Sequence, residues 1–368
     1  MARFFQSDKK IKTKKSEVIV VFVDKIKSML NINEVQTSGR NLYIDALKGI
    51  TIIIVVFAHS VQINDPAFSH NPFYLTFVPF AMPLFMLLSG FIIVSQLGNT
   101  FLGYLKKYGL RLIVPFFIWA FVSYGFFHFY RDVSLPVYIW SVAKFPGTHL
   151  WFLWALFLNS VLLFVALKLS RLRDWSRFEN YFVIGAILLS RLASSDFFGL
   201  SEVKQYFPYY AAGFFLCKYW DEVKARRRIF FAIGIIGFPL LVLGYRRNEL
   251  PTFYPFLLDI FGETGIARLL VSIYKYVLAF MGMALAAFLL SLIRSTRFYL
   301  FLCWVGTLTL DIYVCHRYFL NMGLGSDFWQ YFSAALLAFI GSLVLTLFVL
   351  RRFRITRLLF LGLPFSKK

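Results

Sequence analysis

The chain alternates long apolar runs with short, mostly basic polar runs. A helix needs about 20 mostly apolar residues to cross a membrane, because a rise of about 1.5 Å per residue must span roughly 30 Å of hydrocarbon. Runs of that kind occupy 43–63, 77–97, 110–130, 150–169, 180–199, 204–219, 229–246, 267–292, 299–320 and 329–350. They predict an all-α, polytopic integral membrane protein of about ten transmembrane helices. The 204–219 run is short and rich in aromatic residues, and a re-entrant turn across 194–202 would shift the count to nine or eleven. Ahead of the first run, residues 17–30 alternate apolar and charged positions over too short a length to cross, which predicts an amphipathic helix lying on the inner leaflet. Residues 1–15 are basic and polar and lack the apolar core of a cleavable signal, so the first span is expected to direct insertion. Three segments follow: a basic N-terminal stretch at 1–40, a transmembrane domain at 41–350 and a basic tail at 351–368.

Composition removes the soluble alternatives. Of 368 residues, 59% are hydrophobic and 20% aromatic, far more than a soluble globular domain keeps in solution. Only 15% are charged, yet the net charge is +21. The basic residues are scattered between the apolar runs rather than gathered on one module, so they orient the chain in a bilayer and do not suggest nucleic acid as a partner. With the N-terminus in the cytoplasm, most of the 39 basic residues fall on that side, among them Lys106, Lys107, Arg111, Arg226, Arg294 and Arg351. An even number of crossings returns the C-terminus to the same side, so both termini are expected to be cytoplasmic in a multi-pass protein of the cell (plasma or inner) membrane. Cys217, Cys303 and Cys315 lie in apolar runs without metal-ligand or disulfide spacing, and no metal is expected.

Chemistry must then reside in the spans or at their mouths, where an ionisable side chain is costly enough to signal function. The candidates are His59, Arg191, Lys275, Asp311, His316 and Arg317. Asp311 is a candidate partner for Arg191 or Lys275, a pairing the sequence leaves open. Lys48 and His59 are eleven residues apart, within about 20° of three helical turns, and Asp45 is within about 40° of the same line. One stripe of the first helix therefore carries all three. The axial distance from Lys48 to His59 is roughly 16 Å, which puts the imidazole near mid-bilayer if Lys48 reaches the inner boundary. An imidazole there serves either as a base or as a nucleophile near neutral pH.

Several motifs carry a resemblance. The first span reads Ile44-Asp45-Ala-Leu-Lys48-Gly49, with Ala58-His59-Ser60 further on. The second contains FAMPLFMLLSGFII from Phe80 to Ile93, and the third opens with Arg111 four residues before Pro115. Beyond these come His149-Leu-Trp151-Phe152-Leu153, then Tyr206 to Gly213, then Gly306 through Asp311 and Tyr313 to His316. In that order they resemble the membrane-bound acyltransferase-3 family, in particular its fucose 4-O-acetylase-like branch, over residues 40 to about 318. There are departures: Ala81 stands where the branch often has His, so the role of that second histidine is either absent or taken by His70 in the preceding loop. Lys48 replaces an Arg, and Lys107 and Arg111 stand four apart where relatives have two arginines three apart.

The resemblance implies a membrane O-acyltransferase that moves an acyl group, usually acetyl, from cytoplasmic acetyl-CoA to a hydroxyl of a cell-surface or exported glycan. It implies catalysis by His59 with Asp45 and Lys48, and donor contacts from Lys48, Lys107, Arg111 and Ser89. Trp151, Tyr313, His316 and His70 become candidates for the glycan acceptor. Each has a plainer role beside it: helix packing for Ser89, interfacial anchoring for Trp151, an anchoring ion pair for Asp45 and a structural hydrogen bond for His316. A glycan or lipid-linked sugar transporter without catalysis is the rival class, although no internal repeat joins the two halves.

Overall fold

A computed structural model describes residues 41–127, 133–171, 177–193, 195–247, 249–262, 264–320 and 327–364, so the amphipathic helix expected at 17–30 lies outside the described residues. Among the described residues the regular structure is entirely helical. The helices are α1 (Leu42–Asn64), α2 (Pro72–Ile92), α3 (Phe101–Tyr108), α4 (Val114–Phe126), α5 (Leu135–Lys144), α6 (Trp151–Arg171), α7 (Glu179–Arg191) and α8 (Leu200–Lys218). Then come α9 (Trp220–Ala225), α10 (Arg227–Val242), α11 (Tyr254–Phe261), α12 (Gly265–Leu292), α13 (Arg297–Thr307), α14 (Thr309–Cys315), α15 (Phe328–Leu345) and α16 (Arg354–Leu361).

Their starts follow from local chemistry. The Asn71 side chain accepts hydrogen bonds from the Phe73 and Tyr74 amides, and Pro72 at the first helical position lacks the amide proton that would go unmatched. Asp327 and Gln330 cap α15 reciprocally. Pro115 does not interrupt the third span, because a π-helical turn at Gly109–Ile113 links α3 to α4.

Among the described residues, six helical segments are long and apolar enough to cross a membrane: Leu42–Asn64, Pro72–Gln96, Phe101–Phe126, Trp151–Arg171, Gly265–Leu292 and Phe328–Leu350. A seventh arises if Arg297–Thr307 and Thr309–Phe319 form one broken span. The expected count of ten is not confirmed by these segments, although each predicted run contains a helix. α7 and α10, with 13 and 16 residues, extend only about 20 and 24 Å. α8 is long enough at 19 residues, but it carries Glu202, Lys204 and Lys218. In the broken ninth run, the Thr307 and Thr309 hydroxyls donate to the Trp304 and Gly306 carbonyls (2.8 and 2.7 Å), competing with the helical ladder.

The chain divides into two units, residues 1–50 with 289–309, and 51–288 with 310–368. In the first, Gly49 and Gly306 let two helices meet backbone to backbone. A Cβ on Gly49 would fall 2.0 Å from the Leu302 carbonyl oxygen, and one on Gly306 would fall 1.8 Å from that of Asp45. In the second, α2 and α8 cross by the same device, with Gly90 against the Tyr210 carbonyl and Gly213 against the Leu87 carbonyl. Gly213→Leu forces its Cβ to within 2.0 Å of a backbone oxygen that cannot yield, and should cost at least about 3 kcal/mol by overpacking. Gly185→Ala in α7, with nothing within 4 Å, should be neutral or slightly stabilising. Thermal unfolding of the purified proteins checks both.

Candidate active site

The second unit encloses a cavity of about 500 Å³ whose wall includes His59, Gln62, His149, Trp151, Tyr206 and Arg247. Tyr313, His316 and Arg317 line it as well. His59 comes from the last two turns of α1, and the neighbouring Ser60 holds that end in place by donating to the Tyr331 carbonyl oxygen at 2.7 Å. His316 follows directly on α14, where the chain tightens into a single 3-10 turn, His316–Phe319.

The two imidazoles are bonded to each other. His59 Nδ1 lies 2.9 Å from His316 Nε2, with the rings stacked 5.0 Å apart and only 17° from parallel. His316 Nδ1 lies 2.7 Å from the Tyr313 carbonyl oxygen and 3.3 Å from that of Ile312. A carbonyl only accepts, so His316 must carry its proton on Nδ1, and its Nε2 is then a lone pair in the neutral ring. That lone pair requires a donor, which makes His59 Nδ1 protonated and leaves His59 Nε2 as a free base. The main chain of α14 thus fixes the tautomer of an imidazole 257 residues earlier in the sequence. His316 itself is 2% exposed, and contact between the Phe152 and Tyr313 rings holds its turn against α6.

The remaining predicted residues divide. Trp151, Tyr313 and His316 line the cavity with His59. Ser89, Lys107 and His70 do not line it. Lys107 is bonded to Gln96 at 2.6 Å, and the His70 side chain is 63% exposed beside Glu249. Ser89 sits one residue before Gly90 on the helix whose close packing against α8 was described above. Asp45 and Lys48 belong to the other unit, where they form an ion pair at 3.9 Å.

Asp311 pairs with neither Arg191 nor Lys275. It is fully buried and receives a hydrogen bond from Arg351 Nε at 2.6 Å, with Arg111 Nη2 3.8 Å away on its other oxygen. Arg111 also donates to the Leu361 carbonyl, and Trp119 Nε1 to that of Phe360 at 3.0 Å. These bonds dock α16, a stretch read from sequence as part of a basic tail. Gly362, at φ +59°, completes the contact where a Cβ would strike the Leu110 carbonyl. Arg191 and Lys275 instead line a second chamber of about 620 Å³ that shares Gly147, Trp151, Tyr206 and Arg247 with the first. Among the residues that sequence reasoning did not single out, Gln62 had a signal, since it lies three positions after His59 on the same helical face. Arg247 had none.

An apolar helical protein with a tautomer-locked imidazole pair on a cavity wall defines the class: an integral membrane protein with an internal site suited to proton transfer. The chain belongs to the acyltransferase-3 family, whose acyltransferase domain matches residues 41–351. It is similar to Nodulation protein NolL of Mesorhizobium japonicum, 26% identical over 187 residues, which is 48% of each chain. Nodulation protein NolL of Sinorhizobium fredii is 27% identical over 196 residues, 50% of this chain and 51% of that one. The chain thus matches about half the length of these curated relatives. No solved structure matches it.

Proposed function

We propose that this chain is a membrane O-acyltransferase that carries an acetyl group from cytoplasmic acetyl-CoA to a hydroxyl of a cell-surface or exported glycan. The observation that carries the proposal is the free Nε2 lone pair of His59, held by His316 on the wall of a cavity large enough for a sugar. A sugar hydroxyl is a weak nucleophile at neutral pH, and a positioned imidazole raises its reactivity by accepting the proton as the new bond forms. In this reaction His59 Nε2 takes the hydroxyl proton, the oxygen attacks the thioester carbonyl carbon, and the carbon–sulfur bond breaks. The departing thiolate recovers the proton from the imidazolium. While His59 is charged, its Nδ1–H still donates to His316, so the relay stabilises the cation as it develops, by the same logic as a Ser-His-Asp triad.

The orientation that suits this chemistry is the one the basic residues favour, with both termini cytoplasmic in the cell membrane. A polyanionic CoA then stays at the inner mouth. The candidates to meet its phosphates are Lys107 and the Arg111–Asp311–Arg351 cluster, whose two guanidiniums outnumber the single carboxylate. Trp151 and Tyr206, stacked 4.9 Å apart, offer flat faces to an acceptor sugar.

Mass spectrometry of surface glycans tests the function. An acetyl ester should be present in cells that make the protein, vanish when it is removed, and return with the wild-type chain. A glycan profile unchanged by removal would overturn the reading and favour a transport role, for which a locked imidazole tautomer has no use.

A further inference from the structure

The second chamber is more basic than acyl transfer requires. Arg191, Lys204, Arg247 and Lys275 line it, with Glu202 as the one carboxylate of the lining. Among the described residues, none of Arg191, Arg247 and Lys275 has a carboxylate within ion-pair distance. Arg191 Nη1 is held in place by the Lys204 carbonyl at 2.8 Å and the Tyr276 hydroxyl at 3.0 Å, an arrangement that orients the guanidinium without neutralising it. Cations set around one concavity repel each other, and the arrangement is favourable only with an anion among them. In the orientation proposed above these residues lie at the outer end, the side where the chain otherwise carries few basic residues. Their concentration there is therefore not explained by membrane topology.

Trp151, Tyr206, Tyr209, Tyr245 and Tyr276 supply the rest of the wall, a mix of flat apolar faces and hydroxyls that fits a sugar ring. The two chambers share Trp151, Tyr206 and Arg247 in their linings, so they lie side by side. We propose that the second chamber binds an acidic unit of the acceptor glycan, bearing a carboxylate or a phosphate, next to the unit whose hydroxyl meets His59. This rests on the acyltransferase reading, and it adds that the acceptor is an anionic saccharide.

The test is binding, which needs no turnover. The full chain in nanodiscs of zwitterionic lipid is titrated with a galacturonic acid trisaccharide, with the same trisaccharide after reduction of its carboxyl groups, and with a phosphorylated neutral trisaccharide. At least one acidic probe should bind about tenfold or more tightly than the neutral one. Arg191→Gln and Lys275→Gln should each narrow that gap while leaving the neutral affinity as it was. Which acidic probe binds tighter identifies the anionic group. Equal binding of acidic and neutral probes, no binding of any of the three, or a gap that persists in the double variant would overturn the inference. So would competitive displacement of the acidic probe by added phosphatidylglycerol, which would make a lipid headgroup the occupant. A chain that binds the acidic probe but leaves surface esters unchanged sinks the acyltransferase reading alone. A chain that forms the ester without charge preference sinks this inference alone.

Discussion

His59→Gln should lower acyl transfer about a thousandfold while leaving the protein folded. A positioned general base contributes roughly two to four powers of ten, and His59 is the imidazole on the cavity wall that His316 holds in one tautomer. Glutamine is close in size to histidine, and its amide, though one bond further out than Nδ1, is a donor that can turn towards His316 Nε2. The measurement is single-turnover transfer of labelled acetyl groups by purified protein, alongside thermal unfolding within a few degrees of wild type. Near-normal turnover would remove His59 from the chemistry. His316→Ala should cost about a hundredfold, since His59 Nδ1 loses its acceptor and the ring no longer favours one tautomer. His316→Gln, whose carbonyl can accept from His59, should recover part of that loss. Equal activities for the two His316 variants would contradict the tautomer relay.

The sequence made His59 visible because a single imidazole interrupts an otherwise apolar run, where only function or a specific partner justifies its burial. Its partner could not be found in the same way. His316 is 257 positions away, on a 3-10 turn that follows α14, and nothing local in the sequence joins it to His59. The error over Asp311 has the same origin. A buried carboxylate demands a cation, but nothing local distinguishes Arg111, Arg191, Lys275 and Arg351 as candidates. The span count differs for another reason: apolar content marks a helix that is buried or faces lipid, and α7 and α10 are apolar helices of only 13 and 16 residues. Arg247 was overlooked because a basic residue between apolar runs reads as topology. Only the fold shows it in the wall of both chambers.

Asp311→Asn should destabilise the protein by about 3–5 kcal/mol, because it leaves two guanidiniums facing a buried neutral side chain. The carboxylate joins α14 to Arg351 beyond α15 and to Arg111 below α4, and Arg111 in turn holds α16 through Leu361. Its loss should therefore lower the unfolding temperature and loosen His316, five residues further along the chain. Replacing all three charges, Asp311→Leu with Arg111→Met and Arg351→Met, should restore part of the stability, since apolar packing often substitutes for a buried ion cluster at little cost while the Arg111 bond to the Leu361 carbonyl is lost. The triple variant also separates two roles for Arg111. If the guanidiniums serve only to satisfy Asp311, the repacked protein should bind acetyl-CoA as the wild type does. If they also meet the donor's phosphates, that part of the stability returns while donor affinity stays at least about tenfold weaker, as expected for lost charge-assisted hydrogen bonds. Calorimetry with acetyl-CoA on the wild type and the triple variant decides between them, and unchanged affinity would take Arg111 out of the donor site.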